Sequence, residues 1–152
     1  MLIKIATIDD IPEIVNCGKT SLPIYYTKDD LLEIINKDDY KILIAENDTK
    51  FYGYIIFKIN LDKKNIHINS IAINPNFRRV KIGTQLINQI KINYINYNIT
   101  LYVQSSNLNA ITFYKNNSFK IIDEVIGYYS NLNCNDAYIM IYNNTTSQYT
   151  PK

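Results

Sequence analysis

A short basic segment carries the residues of this sequence that are best suited to chemistry. Residues 78–84 read Arg-Arg-Val-Lys-Ile-Gly-Thr and open an amphipathic stretch that ends at Tyr94. A helix N-terminus offers unpaired N–H groups and partial positive charge, a glycine lets a phosphate approach the backbone, and arginines raise the local potential. The segment therefore predicts a phosphate-binding turn. The alternative is an ordinary helix start with its arginines in solvent, because short motifs of this kind also occur by chance.

His67 is the single histidine of the chain. It lies in an alternating stretch, on the face opposite Ile66 and Ile68, and this pattern predicts a strand. An imidazole titrates at about pH 6.5 and can exchange a proton at neutral pH, so His67 is a candidate general base. The alternative is a half-buried strand residue whose hydrogen bonds are satisfied by its neighbours.

Hydrophobic periodicity places these residues in a series of strands and helices. It predicts strands over 2–6, 40–46, 50–61, 66–73, 99–103, 119–125 and 136–142, and helices from residue 11 and over 28–37, 81–94 and 107–115. We expect Gly18 to end the first helix and Gly53 to mark a β-bulge. The order indicates an α+β fold with a mixed sheet, in a single domain over 1–143 followed by a tail over 144–152.

Composition argues against several classes of protein. The 47% hydrophobic and 20% charged residues can bury a core, so disorder is not expected. The net charge of +2 includes no basic block, which argues against nucleic-acid binding. No apolar run reaches the ~20 residues that span a bilayer, so no membrane partner is expected. Cys17 and Cys134 are isolated, and we expect two free thiols, no metal site and a reducing, cytoplasmic location.

Two segments, in this order along the chain, resemble GNAT N-acetyltransferases. RRVKIGTQL, from Arg78, is similar to their pyrophosphate-binding motif, and VQSSNLNAITFYKNNSF, from Val103, resembles their second CoA-binding segment. The resemblance implies acetyl-CoA as cofactor, and a twisted, mostly antiparallel mixed sheet of about seven strands flanked by about four helices. The cofactor-binding residues that it implies are Ile71, Ala72, Ile73, Arg78, Arg79, Val80, Lys81, Ile82, Gly83, Thr84, Asn107, Ala110 and Tyr114.

Two residues depart from the superfamily pattern. Lys81 stands where the first glycine of the pyrophosphate motif is usual, and Ser118 stands where a glycine commonly precedes the aromatic residue of the next strand. A lysine is tolerated at position 81 if its φ is negative. We expect Ser118, or Asn117 in a shifted turn, to be left-handed at a cost of about 1 kcal/mol.

Three further segments resemble the catalytic subunit of the NatE N-terminal acetyltransferase. They are SLPIYY from Ser21, GYYSNL from Gly127 and DAYIMI from Asp136. The resemblance implies that the substrate is a peptide or protein N-terminus beginning with Met, and that a ribosome-associated or auxiliary protein subunit is a possible partner. Its implied substrate-binding residues are Leu22, Pro23, Ile24, Tyr26, Asn69, Tyr128 and Tyr129. Because the chain has 14 tyrosines, simple packing is the alternative for the aromatic members of this set.

The same resemblance implies three catalytic residues. NatE-like chains have a Tyr at the position of His67 and a His on the next strand at the position of Tyr102, so the two residue types are exchanged here. Side chains on one face of adjacent strands can share a water, so His67 would be a water-relayed general base with Tyr102 beside it. Tyr114 would be the general acid, and a backbone N–H near Ile71 would polarise the thioester carbonyl.

The sequence leaves three other functions open. A GNAT enzyme that acetylates a small amine or a lysine side chain would share the cofactor site and differ in the loops around Tyr26 and Tyr128. A CoA-binding regulatory protein would bind the cofactor without turnover. A simple interaction domain would not bind CoA at all.

Overall fold

The expected strands and helices are present in the expected order. The computed structural model describes residues 1–78, 80–130 and 132–144. The strands are Leu2–Ile5 (β1), Tyr40–Glu46 (β2), Phe51–Asn60 (β3), Asn65–Ile73 (β4), Asn98–Gln104 (β5), Lys120–Val125 (β6) and Ala137–Tyr142 (β7). The helices are Ile11–Ser21 (α1), Lys28–Ile35 (α2), Ile82–Asn93 (α3) and Leu108–Asn116 (α4). Part of the predicted tail, from residue 145 onward, lies outside the described residues.

The seven strands follow the order β1-β2-β3-β4-β5-β7-β6 in the sheet. The pairs β1–β2, β2–β3, β5–β7 and β6–β7 are antiparallel, whereas β4 and β5 are parallel. Parallel neighbours need a crossover connection, and α3 supplies it. The predicted α+β fold with a mixed, mostly antiparallel sheet is therefore confirmed.

The chain divides into two compact units. The first comprises Met1–Ile59 and Asn69–Asn93, and the second comprises Asn60–Ile68 with the residues from Tyr94 onward. Strand β4 contributes to both, since its residues 65–68 belong to the second unit and its residues 69–73 to the first.

The core of the first unit lies where α1 and α2 pack against its strands. The buried side chains include Ile11, Ile14, Leu31, Ile34, Ile42, Ile44, Tyr54, Ile56 and Ala72. Helix α2 begins at a capping box in which the Thr27 hydroxyl accepts from the Asp30 N–H at 3.2 Å and the Asp30 carboxylate accepts from the Thr27 N–H at 2.9 Å. This cap directs Leu31 into the core, where full burial of such a side chain contributes about 1.5–3 kcal/mol.

The sequence predicts that Gly18 ends α1, and this prediction is wrong, because the helix continues to Ser21. A Cβ atom at Gly18 would lie 2.8 Å from Tyr54 Oη and 3.3 Å from Tyr25 Cβ. The glycine therefore serves close packing of α1 on β3. The bulge expected at Gly53 lies next to it, because Ala45 pairs with Gly53 and Glu46 with Phe51, which leaves Tyr52 as the extra residue of β3.

The second unit has its own core on one face of its strands. The buried side chains of this core include Ile66, Ile68, Ile99, Leu101, Val103, Ile111, Tyr114, Phe119 and Met140. Side chains alternate along a strand, so His67 on β4, and Thr100 and Tyr102 on β5, lie on the other face. That face carries the polar and aromatic residues described next.

Candidate active site

His67 lies beside Thr100 and Tyr102 on the face of the second unit opposite its core. Thr100 is its register partner on β5, and His67 Nδ1 lies 2.9 Å from Thr100 Oγ1. The ring of Tyr102 meets the imidazole edge to face, with 5.2 Å between centroids and 63° between planes. The structure thus brings together two of the three residues for which the sequence predicts catalytic roles. Those roles stay predictions.

Tyr102, Tyr128 and Tyr129 continue from His67 as a row of rings, which we call the aromatic row. Tyr102 stacks on Tyr128 with 4.4 Å between centroids and 21° between planes. Tyr128 meets Tyr129 edge to face at 4.9 Å. Tyr102 is 37% exposed and Tyr128 is 47% exposed, so a substrate can reach the row.

The loop that holds Tyr128 and Tyr129 is fixed by backbone contacts. Gly127 has a φ of +72° and donates its N–H to Asp136 Oδ1 at 3.0 Å, and the Tyr129 N–H donates to Asn135 O at 2.8 Å. Burial raises the pKa of Tyr128, with Tyr102 adding to the shift, and burial followed by Tyr128 raises the pKa of Tyr129. Both hydroxyls therefore remain protonated hydrogen-bond donors at neutral pH.

Tyr114 is buried on α4 among aromatic neighbours. Its ring centroid lies 5.2 Å from that of Phe113 and 5.7 Å from that of Phe119. Burial, and then the proximity of Tyr129, raise the pKa of Tyr114. The phenol is therefore protonated at neutral pH and can act as a hydrogen-bond donor.

Asn107 and Ala110 meet each other at the start of α4. The Asn107 Oδ1 accepts from the Ala110 N–H at 3.2 Å, so this oxygen caps the helix. A cofactor contact by Asn107 would therefore use its amide nitrogen. Ala110 is half-buried in the first turn.

The end of α4 confirms the left-handed conformation expected near Ser118. Ser118 has a φ of +74°, and its N–H donates to Lys115 O at 3.0 Å while the Phe119 N–H donates to Tyr114 O at 3.0 Å. These two bonds form a Schellman motif, which normally has glycine at the left-handed position. The two bonds engage the carbonyl groups of Tyr114 and Lys115 and end α4 just before β6.

The basic segment of the first unit lies between β4 and α3. Arg78 is exposed, and its Nε donates to Ile73 O at 3.3 Å. Lys81 has a φ of +64°, so the condition of a negative φ at this position is not met. The chain must turn sharply here to enter α3, whose first turn begins with the Gln85 N–H donating to Lys81 O at 3.0 Å, and the lysine carries the strain of that turn. Arg79 lies outside the described residues.

The first turn of α3 is partly buried. Ile82 and Gly83 are buried, Thr84 is half-buried and Val80 is 58% exposed. A buried glycine beside an exposed arginine and lysine at the start of a 12-residue helix fits the anion-binding turn that the sequence predicts.

Three side chains hold the last carbonyl groups of β4. Ala72 O accepts from Cys17 Sγ at 3.7 Å, and Ile73 O accepts from Ser21 Oγ at 3.3 Å as well as from Arg78. Burial raises the pKa of Cys17 to about 11, so it stays a thiol. These contacts hold the carbonyl groups of Ala72 and Ile73, two of the residues that the resemblance implies as cofactor-binding.

The predicted substrate residues of the first unit differ in burial. Leu22 and Tyr26 are partly buried against the core of that unit, so packing explains part of their role. Pro23 and Asn69 are exposed, and Ile24 is 56% exposed.

The sequence reasoning missed Thr100 and Asn65. Asn65 Nδ2 donates to Thr100 Oγ1 at 3.2 Å, and Thr100 Oγ1 lies 3.5 Å from Ile66 O. Asn65 precedes His67 by two residues, and Thr100 precedes Tyr102 by two. This period-2 spacing places Asn65 on the face of His67 and Thr100 on the face of Tyr102, so the sequence could have indicated both.

Within residues 1–78, 80–130 and 132–144, no three His, Cys, Asp or Glu side chains converge to hold a metal ion. Both Cys17 and Cys134 are free, as expected. None of the helices in these ranges combines the length and apolar character of a membrane span.

Comparison with known proteins agrees with these features. An N-alpha-acetyltransferase from Saccharolobus solfataricus is 30% identical over 149 residues, which cover 89% of this chain and 88% of the relative. The structure of Ard1 from Thermoplasma volcanium is similar at a TM-score of 0.80 and 25% identity, over 92% of this chain and 95% of that one. The ribosomal-protein-S18-alanine N-acetyltransferase of Escherichia coli shares the fold at a TM-score of 0.85 and 17% identity, over 99% and 98%. Residues 9–119 match the acetyltransferase (GNAT) family, and the chain belongs to that family.

Proposed function

We propose that this protein transfers the acetyl group of acetyl-CoA to the free α-amino group of protein N-termini, with a preference for N-termini that begin with Met. The observation that carries the proposal is the contact of His67 with the aromatic row, because it joins a candidate base to candidate peptide-binding residues. The similarity to a named N-alpha-acetyltransferase along nearly nine-tenths of the chain supports it.

The residues of the basic segment fit the pyrophosphate of acetyl-CoA. Arg78 and Lys81 supply exposed positive charge, and the first N–H groups of α3 next to Gly83 supply donors. Acetyl-CoA supplies the thioester carbonyl that the amine attacks and the thiolate that leaves. We assign pantetheine contacts to the backbone of Ile71–Ile73, and further cofactor contacts to Asn107 and Ala110.

His67 is the proposed general base, acting through one water. An α-amino group has a pKa of about 7.7–8.0, so its neutralisation at pH 7 costs about 1 kcal/mol, whereas a lysine at about 10.4 costs close to 5 kcal/mol. A single imidazole is a strong enough base to deprotonate an α-ammonium group but not a lysine side chain. Tyr102, 5.2 Å from the imidazole, orients the water.

Tyr114 is the proposed proton donor to the leaving sulfur. Its raised pKa keeps the phenol protonated at working pH. The raised pKa also weakens the phenol as an acid, so Tyr114 would stabilise the negative charge on the sulfur mainly by donating a hydrogen bond to it. A backbone N–H near Ile71 is the proposed donor to the carbonyl oxygen.

The hydroxyls of Tyr128 and Tyr129 are the proposed donors to the peptide backbone. Leu22, Pro23, Ile24 and Tyr129 are the proposed contacts of the first side chain, with Tyr26 and the backbone near Asn69 as further peptide contacts. An apolar contact set of this kind suits Met better than a charged residue. A ribosome-associated or auxiliary subunit would present the nascent N-terminus.

A peptide panel tests the proposal. Acetyl transfer is measured on peptides beginning Met-Leu, Met-Lys, Ser and Ala, on N-terminally blocked lysine peptides and on polyamines. We expect Met-first peptides to give the highest kcat/KM, and His67→Ala to lower kcat by about 10²-fold. Tyr128→Phe should raise the KM for peptide, while Tyr97→Phe, outside the aromatic row, should not.

Other outcomes of the panel would move the assignment. Highest activity on Ala- or Ser-first peptides would refute the Met preference and keep α-amino transfer. Activity on lysine peptides or polyamines alone would refute α-amino transfer altogether. Tight acetyl-CoA binding without transfer to any acceptor would indicate a regulatory CoA-binding protein.

A further inference from the structure

We propose that Tyr52 is a positioning residue for the cofactor. It holds Phe77, the last residue of the turn over 74–77, and this turn presents Arg78 to the pyrophosphate of acetyl-CoA. Tyr52 acts through the turn and not by contact with the cofactor. The inference rests on the proposed placement of the pyrophosphate at the basic segment, and the contacts that carry it all lie within the first unit.

Tyr52 is the extra residue of the β-bulge in β3. Phe51 and Tyr54 both belong to the core of the first unit, although residues three apart on a regular strand face opposite sides of the sheet. The extra residue accounts for this difference, because a bulge redirects side chains out of the regular alternation. The ring of Tyr52 meets the ring of Phe77 edge to face, with 4.8 Å between centroids and 78° between planes.

Backbone groups of the same bulge bind the start of the turn. The Asn74 N–H donates to Tyr52 O at 2.8 Å, and Asn74 Nδ2 donates to Phe51 O at 3.4 Å. Within the turn, the Phe77 N–H donates to Asn74 O at 2.8 Å. The turn is therefore attached to β3 at its first residue by hydrogen bonds and at its last residue by a ring contact.

The hairpin between β2 and β3 holds the side chain of Tyr52. Asn47 Nδ2 donates to Tyr52 Oη at 2.7 Å. The other end of the amide sets its orientation, because Asn47 Oδ1 accepts from the N–H groups of Thr49 and Lys50 at 3.0 and 2.8 Å. The Lys50 ammonium lies 5.4 Å from the centroid of the Phe77 ring, a distance at which a cation and a ring attract each other. The hairpin thus holds Phe77 through two side chains, Tyr52 and Lys50.

The turn determines where the guanidinium of Arg78 lies. Arg78 is exposed, and the bond from its Nε to Ile73 O at 3.3 Å sets the direction of the remaining N–H donors of the planar guanidinium. The bond joins residues five positions apart, so it forms only if the turn brings the chain back to the end of β4. A ligand that needs this conformation binds more weakly in proportion as the conformation is depopulated. Loss of the Tyr52 ring should therefore weaken cofactor binding although no contact with the ligand is removed.

Isothermal titration calorimetry with CoA measures this effect without turnover. Tyr52→Leu removes the ring and keeps an apolar side chain. We expect it to raise the Kd for CoA about fivefold, the ratio that one edge-to-face ring pair maintains. Tyr52→Phe keeps the ring and loses the bond from Asn47, so it should restore the affinity of the wild type. An unchanged Kd in Tyr52→Leu would overturn the proposal.

Tyr97→Leu is the matched control. It removes one ring of an edge-to-face pair with Tyr94, which has 5.5 Å between centroids and 71° between planes. This pair follows the last residue of α3, at the opposite end of that helix from the basic segment. Tyr97→Leu should leave the Kd for CoA unchanged. A rise equal to that in Tyr52→Leu would show that loss of a ring pair weakens binding wherever it occurs, which contradicts the positioning role.

A double variant tests whether Tyr52 acts through Phe77. Phe77→Leu should raise the Kd for CoA by about the same factor as Tyr52→Leu. The two substitutions together should raise it no further, because the two rings form one contact. If the two factors multiply in the double variant, Tyr52 does not act through Phe77 and the proposal is wrong.

Arg78→Gln separates this inference from the proposed function. If Arg78→Gln weakens CoA binding and Tyr52→Leu does not, the placement of the pyrophosphate stands and the role of Tyr52 is wrong. If Arg78→Gln leaves CoA binding unchanged, the placement is wrong and so is the inference. If both variants weaken CoA binding while the peptide panel shows no α-amino transfer, the role of Tyr52 stands and the proposed acceptor is wrong.

Discussion

Replacing Gly18 by Ala puts helix propensity and core packing in direct opposition. Propensity alone favours alanine inside α1 by about 1 kcal/mol. The new Cβ would lie 2.8 Å from Tyr54 Oη, and Tyr54 is 1% exposed, so the hydroxyl has little room to move. Overpacking of this kind costs about 1–3 kcal/mol. We expect a net loss of about 1 kcal/mol in the free energy of unfolding.

The same substitution should change sign once the Tyr54 hydroxyl is absent. Tyr54→Phe removes Oη and its 3.2 Å bond to Ser70 Oγ, at a cost of about 1 kcal/mol. The nearest atoms to the Cβ added at position 18 would then be Tyr25 Cβ at 3.3 Å and the ring carbon Cζ of residue 54 at 3.8 Å. In that background Gly18→Ala should stabilise by about 0.5 kcal/mol, because the propensity gain remains. The coupling energy of the pair is therefore about 1.5 kcal/mol.

Urea unfolding of the four proteins measures this coupling. The wild type, the two single variants and the double variant should unfold with equal m-values, so that differences in midpoint report stability. If Gly18→Ala stabilises both backgrounds equally, the packing argument is wrong and Gly18 has no role against β3. If it destabilises both equally, Tyr54 Oη is not the group that requires the glycine.

Three further predictions concern strain, thiol reactivity and alkaline pH. Ser118→Gly should raise the free energy of unfolding by about 0.5 kcal/mol in urea titrations. Relief of the left-handed φ stabilises the folded protein by more than the added entropy of glycine stabilises the unfolded chain. An unchanged free energy of unfolding would refute backbone strain at Ser118. Iodoacetamide at pH 8 should alkylate Cys134 well before Cys17. Hydrogen bonds, above all the one with Ser105, lower the pKa of Cys134, whereas burial raises the pKa of Cys17 to about 11. Mass spectrometry of digests measures the order of alkylation, and alkylation of Cys17 first would contradict the prediction. Burial raises the pKa of Tyr54 to about 12. The stability that the protonated phenol contributes is therefore complete below pH 10 and is lost as the pH rises from about 10 to 12. In Tyr54→Phe, the free energy of unfolding should depend less on pH over this range.

Local pattern was sufficient to predict the elements and their order. Alternation in β4 distinguishes buried Ile66 and Ile68 from His67, and a capping box with period-3.6 apolar residues specifies α2. The Schellman turn at Ser118 was also predictable, because its requirement for a left-handed residue is set within a few positions of chain. Each of these features is set by residues a few positions apart, so it can be predicted from the sequence alone.

The features that the sequence did not predict depend on contacts between residues that are distant along the chain. The sequence alone predicts a helix stop at Gly18, because the residue that requires the glycine, Tyr54, is distant along the chain and contacts it only when α1 packs on β3. The positive φ of Lys81 follows from how the chain enters α3. The meeting of His67 with Thr100 depends on the register of two parallel strands, which is set by the crossover between them. Periodicity in the sequence therefore predicts which residues face the same side of each strand. Which of those residues meet across strands depends on the register, and the register is set by packing.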